Sequence, residues 1–463
     1  MLFNTPAFLI FFPLTVLAAF LLPKKLQNPL LLAASLVFYG FADARLVLLL
    51  LFVSLSSWLC ACGMERFPAR KKLLAGLGVS CPLLLLFFFK YLGFFLRGLL
   101  LFLPQADLSF ADRIVLPVGI SFYTFQAVSY ILDVKRGEMP AEKDALLLAL
   151  YLSFFPQLVA GPIERAKDLL PQLRKPRDFD PDGAVGGLKL MLAGFFEKIA
   201  VADMLGLFVN RIWKDPGAAS GPEAVLAALL FSLQILCDFR GYSLIARGAA
   251  GVLGIRLSVN FDRPYASASL GEFWRRWHIT LSSWLRDYVY IPLGGSRGTA
   301  FLRARNLLLV FLVSGLWHGA GLNFLIWGLL HGLVMVLESL TERSAPGGKL
   351  RRLRQGLCFT FVTLAWIPFR APDLTAAGTF LTRFITGWST GITAAGTREL
   401  ICAGAALASF AASSFLLPRL AGGGKGKAVL RHIGYTLMLW LTLAAYLVLR
   451  SEGIQSSVIY VRF

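Results

Sequence analysis

Four histidines occur in the 463 residues, and two of them lie in the apolar stretch at residues 306–340. This stretch reads NLLLVFLVSGLWHGAGLNFLIWGLLHGLVMVLESL. His318 follows about 12 residues of apolar chain, or roughly 18 Å of helical rise, which predicts a position near the middle of a membrane. An ionisable side chain at that depth is costly, so it usually marks a relay, a substrate path or a catalytic group. The alternative is a neutral histidine that is hydrogen-bonded within a helix bundle.

The role of the second histidine of this stretch, His331, depends on whether the stretch is one long helix or two shorter ones. Glycines on both sides of His318 allow a local break. On an unbroken helix, His331 would lie about 20 Å beyond His318 and roughly 140° around the axis. The two side chains could then not serve one reacting atom. We therefore expect His331 to be structural, like His432 at the start of a later span.

A third histidine, His278, lies in the segment GEFWRRWHITLSSWLRDYVYIPLGG at residues 271–295. If this segment is one helix, six large side chains share roughly 100° of its circumference. They are Trp274, Trp277, Leu281, Trp284, Leu285 and Tyr288. Such a face predicts a helix that lies at the membrane interface or dips into it, with His278 at the edge of the face. Arg275 and Arg276 lie outside it and could attract a phosphate-bearing donor, although a plain membrane anchor would show the same pattern.

The composition is that of a membrane protein, with 57% hydrophobic and 16% charged residues. Lys and Arg outnumber Asp and Glu by 46 to 26. They lie in short loops between apolar runs, as the positive-inside rule predicts, rather than on a soluble basic domain for nucleic acid. We predict an all-α polytopic protein of roughly ten to twelve helices. It forms one membrane domain, with N-terminal spans at 1–110, a catalytic core at 111–340 and C-terminal spans at 341–463.

Other kinds of site are not indicated by the sequence. The six cysteines include no C-x-x-C pair, and the histidines lack the spacing of metal ligands. Residues 294–298 match G-x-S-x-G, but a nucleophile elbow requires a strand before it, and here an amphipathic segment and Pro292 precede it. We interpret this motif as a turn and predict no metal site.

Six segments together resemble the membrane-bound O-acyltransferase (MBOAT) family, in the branch of the bacterial alginate O-acetyltransferase membrane subunits. They are LPVGISFYTFQ at 116–126, SFFPQLVAGPIER at 153–165, CDFRGYS at 237–243, NFDRPY at 260–265, FWRRWHITLSSWLRDYVYIPLGG at 273–295 and GLWHGAGLNFLIWGLLHG at 315–332. The resemblance implies helices around a central channel, with an acyl donor entering from the cytoplasm and the acceptor engaged outside. It also implies that His318 is the catalytic histidine and His278 the second important one.

The function implied by this resemblance is transfer of an acyl group, in the first instance acetyl, for O-acetylation of an extracytoplasmic polysaccharide such as alginate. Acetyl-CoA or another acyl donor would be a substrate, with no cofactor bound permanently. Seven residues are expected at the donor site or channel: Trp274, Arg275, Arg276, Asp238, Tyr242, Trp317 and Asn323. The expected partner is an extracytoplasmic serine-hydrolase-like acetyltransferase, and the expected location is the bacterial inner membrane.

Two alternatives remain at this point. CDFRGYSL differs from the FDFSGYSD of alginate-type relatives at Arg240 and Leu244, and its GYSL ending resembles the branch that D-alanylates teichoic acid. A transporter with a buried His and Asp relay would also carry polar residues in apolar helices, although we find none of the repeated halves that are common in transporters. For acyl transfer, His318 could act as a base or carry the acyl group as a nucleophile.

Overall fold

The computed structural model describes residues 1–41, 43–99, 114–341, 348–419 and 425–453, and these residues form helices and turns without a strand. The predicted all-α fold is therefore confirmed. The chain forms two compact groups, Met1–Leu188 with Ala246–Val259, and Lys189–Ile245 with Asn260–Phe463. The predicted boundary near residue 110 lies outside the described residues.

The first group is built from the N-terminal helices. They are α1 (Pro6–Leu21), α2 (Gln27–Gly40), α3 (Arg45–Arg66), α4 (Lys71–Leu86), α5 (Leu92–Leu99), α6 (Ile120–Arg136), α7 (Ala145–Ser153), α8 (Phe155–Leu158), α9 (Ala166–Arg174) and the beginning of α10 (Pro181–Phe195). A wide helical turn at Phe87–Tyr91 joins α4 to α5. In the segment SFFPQLVAGPIER, the Glu164 carboxylate accepts the Ser258 backbone N–H at 2.6 Å and its hydroxyl at 2.9 Å. These bonds fix that segment to the chain that follows α12.

The second group contains the histidine-bearing segments. Its helices are α11 (Met204–Lys214), most of α12 (Gly221–Val252), α13 (Leu270–Arg276), α14 (Ile279–Leu285), α15 (Ala300–His318), α16 (Leu322–Thr341), α17 (Gly348–Arg370), α18 (Leu374–Thr386), α19 (Ala394–Arg419) and α20 (Lys425–Ser451). Wide helical turns at Phe196–Asp203 and Arg286–Tyr290 precede α11 and follow α14.

Six of the described helical segments are long and apolar enough to cross a membrane. They are Arg45–Arg66, Pro68–Gly98, Gly221–Val252, Ala300–His318, Leu322–Thr341 and Val429–Ser451. Large apolar side chains such as Leu48, Leu84 and Leu337 lie on their exposed faces. Hydrocarbon accommodates such faces, and a helix satisfies its own backbone hydrogen bonds there. The chain is therefore a multi-pass membrane protein.

The stretch at residues 306–340 forms two helices, α15 and α16, with a turn at 319–321. Glycines let the two helices meet at backbone distance. A Cβ atom on Gly315 would lie 2.3 Å from the Phe324 carbonyl oxygen, and one on Gly328 would lie 2.3 Å from that of Phe311. Any side chain at either position would overlap the facing backbone, so these glycines set the spacing of the hairpin.

The segment at residues 271–295 does not form the single amphipathic helix that we predicted. It breaks between α13 and α14, where His278 adopts a left-handed conformation with φ of 42°. The start of α13 is held by the Glu338 carboxylate, which accepts the backbone N–H groups of Leu270 and Gly271 at 2.6 and 3.0 Å. Because the helix is interrupted at His278, the predicted position of this residue on the edge of a continuous face is wrong. The G-x-S-x-G motif lies in a turn, as predicted.

The glycine contact of the hairpin gives a stability prediction. Gly315→Ala should lower the unfolding free energy by about 1–3 kcal/mol, the usual cost of an overpacked contact, and should lower activity by displacing His318. Thermal unfolding of the detergent-solubilised protein measures the first effect. Gly356→Ala is the matched control, because a Cβ atom on that helical glycine meets nothing within 4 Å. Equal melting temperatures for the two variants would contradict the prediction.

Candidate active site

His318 is the last residue of α15, and its side chain is enclosed by aromatic rings. It is 2% exposed. The ring centroids of Trp317, Trp327 and Phe369 lie 4.9, 5.0 and 5.1 Å from that of the imidazole, all close to perpendicular. The side chain is buried, but α15 begins at Ala300 and turns directly after His318. The imidazole therefore lies at the turn of the hairpin rather than part-way along a continuing helix.

His278 is fully buried at the break between α13 and α14. Its Nδ1 lies 3.2 Å from Asn260 Oδ1, which also accepts the Thr280 hydroxyl at 2.9 Å. The Asn260 carbonyl oxygen accepts the Ile279 backbone N–H at 3.0 Å. Since an amide oxygen accepts, this contact places the proton on Nδ1 and makes Nε2 the nitrogen that can accept one. Burial lowers the pKa of His278, so the imidazole is neutral.

The two histidines that were predicted to be catalytic contact the same indole ring. The Trp317 centroid is 5.8 Å from that of His278 and 4.9 Å from that of His318. On its other side, His278 meets the ring of Phe239 at 4.7 Å. The fold thus brings together side chains that are 40 positions apart in the sequence. We define the aromatic cluster as the indole rings of Trp317 and Trp327 together with the aromatic rings and histidines that contact them.

The turn of the hairpin also brings in His331, which the sequence analysis set aside. Its ring centroid is 4.9 Å from that of Trp327, whose indole also contacts His318 at 5.0 Å. The expected separation of about 20 Å assumed an unbroken helix, and that assumption is wrong. The glycines at 319 and 321 were the signal of the break. Their number alone did not decide whether the chain would turn back.

Two of the predicted channel residues belong to the aromatic cluster, and three others do not. Trp317 lies between the two histidines, and Trp274 contacts Trp327 at 5.7 Å and His331 at 5.2 Å. Of the three outside the cluster, Arg275 is exposed and Arg276 pairs with Glu272 at 2.9 Å. The third, Asn323, donates its amide N–H groups to the carbonyl oxygens of Pro368 and Ala371. The amide of Asn323 is thus used to hold the start of α16 against the end of α17.

The remaining predicted residues, Asp238 and Tyr242, lie one turn apart on α12, and both are buried. The Asp238 carboxylate is 2.6 Å from Lys198 Nζ, which is also 2.6 Å from Asp203. The sequence analysis missed Lys198 as the partner because the two are 40 positions apart. Phe239, the neighbour of Asp238, is the residue that contacts His278. This buried ionic cluster therefore adjoins the aromatic cluster through α12.

Comparison with known proteins shows the family of this chain. Residues 140–366 match the model of the MBOAT, membrane-bound O-acyltransferase family. The chain is 38% identical over 385 residues to the "Probable alginate O-acetylase AlgI" of Azotobacter vinelandii, an alignment that covers 81% of this chain and 76% of that protein. The chain belongs to the MBOAT family. It is a membrane-bound O-acyltransferase, and the family predicted from the six motifs is confirmed.

Two further relatives differ in the polymer that their names state. The chain is 35% identical over 414 residues to the peptidoglycan O-acetyltransferase of Helicobacter pylori, covering 81% of this chain and 78% of that one. It is 28% identical over 239 residues to the teichoic acid D-alanyltransferase of Bacillus subtilis, covering 49% and 60%. The covered share is thus larger for the O-acetyltransferase than for the D-alanyltransferase.

The left-handed backbone at His278 gives a prediction about its side chain. His278→Gly and His278→Ala should both lower acyl transfer by about tenfold or more if the imidazole takes part in proton transfer. The Gly variant should be the more stable of the two by about 1 kcal/mol, because only Ala retains the left-handed strain. Initial rates and thermal unfolding of both variants measure this. Full activity of the Gly variant would show that only the backbone conformation matters at this position.

Proposed function

We propose that this O-acyltransferase takes an acetyl group from a cytoplasmic thioester, which we propose to be acetyl-CoA. A second protein receives the acetyl group and passes it to an extracytoplasmic polysaccharide. The observation that carries this proposal is the contact of two buried histidines with one indole ring in a chain of the MBOAT family. Relatives named for alginate and peptidoglycan support acetyl as the acyl group and a polysaccharide as the final acceptor. The bacterial inner membrane is the proposed location.

His318 is the proposed general base. Its imidazole takes the proton of the acceptor hydroxyl while the hydroxyl oxygen bonds to the thioester carbonyl carbon. Collapse of the tetrahedral intermediate breaks the C–S bond, and the imidazolium returns the proton to the leaving thiolate. The products are an ester and a free thiol, with no net change in protons. The aromatic rings around His318 keep bulk water from competing with the acceptor.

Charge supports the direction of transfer. The end of the hairpin away from His318 lies next to basic residues at the start of α17, among them Lys349, Arg351 and Arg352. Under the positive-inside rule this end faces the cytoplasm. At 1.5 Å per residue, α15 places His318 roughly 27 Å along its axis from Ala300. The acceptor is thus expected at the opposite, extracytoplasmic side.

The burial of His318 supports the involvement of a second protein. The side chain of His318 is 2% exposed, and the turn that follows it is three residues long at 319–321. A bulky polymer does not fit into such an enclosed position, whereas a single serine side chain of a docking partner is small enough. The partner would be a serine-hydrolase-like acetyltransferase that receives the acetyl group as an ester and passes it to the glycan.

The D-alanyl alternative rested on the GYSL ending at Leu244, in a motif that also departs from the alginate type at Arg240. The structure gives Arg240 a role of its own. Its guanidinium forms two bonds to the Glu197 carboxylate, at 2.6 and 2.7 Å. A buried carboxylate requires such a partner. The arginine is therefore explained by Glu197 and supplies no reason to favour a different acyl group. Relatives named for D-alanyl transfer keep that reaction as the second candidate.

The first prediction of this proposal is that His318→Ala lowers acetyl transfer by about 10²–10⁴-fold, the usual contribution of a general base. The variant should still be expressed and folded, and thermal unfolding of the detergent-solubilised protein checks this. Product acetylation in a strain that lacks other acetyltransferases measures the effect. His432→Ala is the control, since His432 is exposed on α20.

Wild-type acetylation by the His318→Ala variant would overturn the proposed base. Mass spectrometry after rapid quenching adds a second criterion. An acetyl group trapped on His318 itself would assign the imidazole as the nucleophile instead of the base.

The second prediction concerns the partner. The purified protein with acetyl-CoA and glycan should acetylate the glycan only when the extracytoplasmic partner is added, because the polymer does not reach the buried imidazole. His318→Ala with partner is the control for uncatalysed transfer. Glycan acetylation at full rate without a second protein would exclude the relay and leave direct transfer.

A further inference from the structure

His331 is completely buried, and no residue in the described ranges forms a hydrogen bond with either of its ring nitrogens. Aromatic rings surround the imidazole instead. Their centroids lie at 4.9 Å (Trp327), 5.2 Å (Trp274), 5.4 Å (Phe361), 6.2 Å (Phe311) and 6.5 Å (Trp366). A neutral imidazole always has one N–H group, and a buried N–H without an acceptor costs free energy.

Stability therefore does not explain a histidine at this position. A phenylalanine has a similar flat ring, lacks the unsatisfied N–H and suits a pocket lined by five aromatic side chains. Polar groups that are retained at such a cost usually serve a ligand or a reaction. The question is then which ligand approaches His331.

One face of α16 connects His331 with a cavity of about 740 Å³. Val334, Glu338 and Thr341 line this cavity, and their spacing places them on one face of the helix. His331 is the next residue on that face. The cavity is also lined by Phe361, whose ring contacts the imidazole at 5.4 Å. His331 thus lies directly behind the inner wall of the cavity.

The same face continues past His331 to Trp327, whose indole contacts His318. From Thr341 to Trp327 the helix rises roughly 21 Å. A long, thin substrate that lies along this face would enter at the basic end of the hairpin and reach the aromatic cluster. Arg354 lines the cavity and offers a positive charge to a phosphate group of such a substrate.

We infer that His331 is the hydrogen-bond donor for the acyl donor's extended arm as it passes from the cavity toward His318. This inference rests on the proposed function, because only an acyltransferase requires a donor at His318. The fitting ligand class is a thioester on a long arm with amide carbonyl groups. The His331 N–H would donate to a carbonyl oxygen of the arm or of the thioester, after a rotation of the Phe361 ring. His331 takes no part in bond making or breaking.

The test compares His331→Phe with His331→Gln, which retains an N–H donor. The probe is a dethia analogue of acetyl-CoA, in which a methylene group replaces the sulfur, and calorimetry on the purified full-length protein measures its binding. The Phe variant should bind the analogue about tenfold more weakly and show a raised KM for acetyl-CoA, since one hydrogen bond is lost. Its melting temperature should equal or exceed that of the wild type. The Gln variant should recover most of the affinity.

The outcomes separate this inference from the proposed function. If the wild type neither binds the analogue nor transfers acetyl groups, the proposed function is wrong and the inference fails with it. If the wild type does both and the Phe variant matches it, only the role of His331 is wrong. Equal losses of binding and of melting temperature in both variants would show that His331 is structural. His432→Phe is the control for an exposed histidine, and His331→Leu replaces the Phe variant if that variant does not fold.

Discussion

The close approach of two helix backbones at Gly315 and Gly328 is the constraint on which the histidine-bearing part of the structure depends. Each glycine faces a carbonyl oxygen of the other helix at a distance that leaves no room for a Cβ atom. Because α15 and α16 meet there, the chain turns directly after His318, and α16 returns alongside α15. The return places Trp327 against His318 and His331 against Trp327. On an unbroken helix, the two histidines of this stretch would instead lie about 20 Å apart.

Around this hairpin, buried polar groups lie in three different kinds of surroundings. Asp238 pairs with Lys198 and Glu197 pairs with Arg240, which offsets part of the cost of burying these charges. His278 is held by Asn260, which also bonds to the residues that start α14. The aromatic rings around His331 offer it no comparable hydrogen bond. Polar partners are thus found at the charged groups and at a strained backbone position, whereas His331 lies among aromatic rings.

Several features could be predicted from the sequence because they depend on local pattern. Composition predicted helices in a membrane. The motifs indicated the family. Features that depend on contacts between distant segments were not predicted. The prediction of a continuous amphipathic helix was wrong because Asn260, 18 positions upstream, supports the left-handed backbone at His278. The prediction that His331 is structural assumed an unbroken helix. The number of glycines in a stretch does not reveal which of them will contact a facing helix.

The aromatic enclosure of the histidines has a chemical consequence that a polar channel would not have. A phenyl ring has no acidic proton and an indole N–H is too weak an acid to give one up, so an imidazole among these rings exchanges its proton with a reactant rather than with the wall. They also exclude water, which would otherwise hydrolyse a thioester held for transfer to a hydroxyl. A polar wall would hold the imidazoles more firmly but would compete for the proton that the reaction must move. At His278 the backbone is strained, and hydrogen bonds with Asn260 support it. Rigid positioning of the ring therefore comes from the backbone and from one amide, and the ring faces remain apolar.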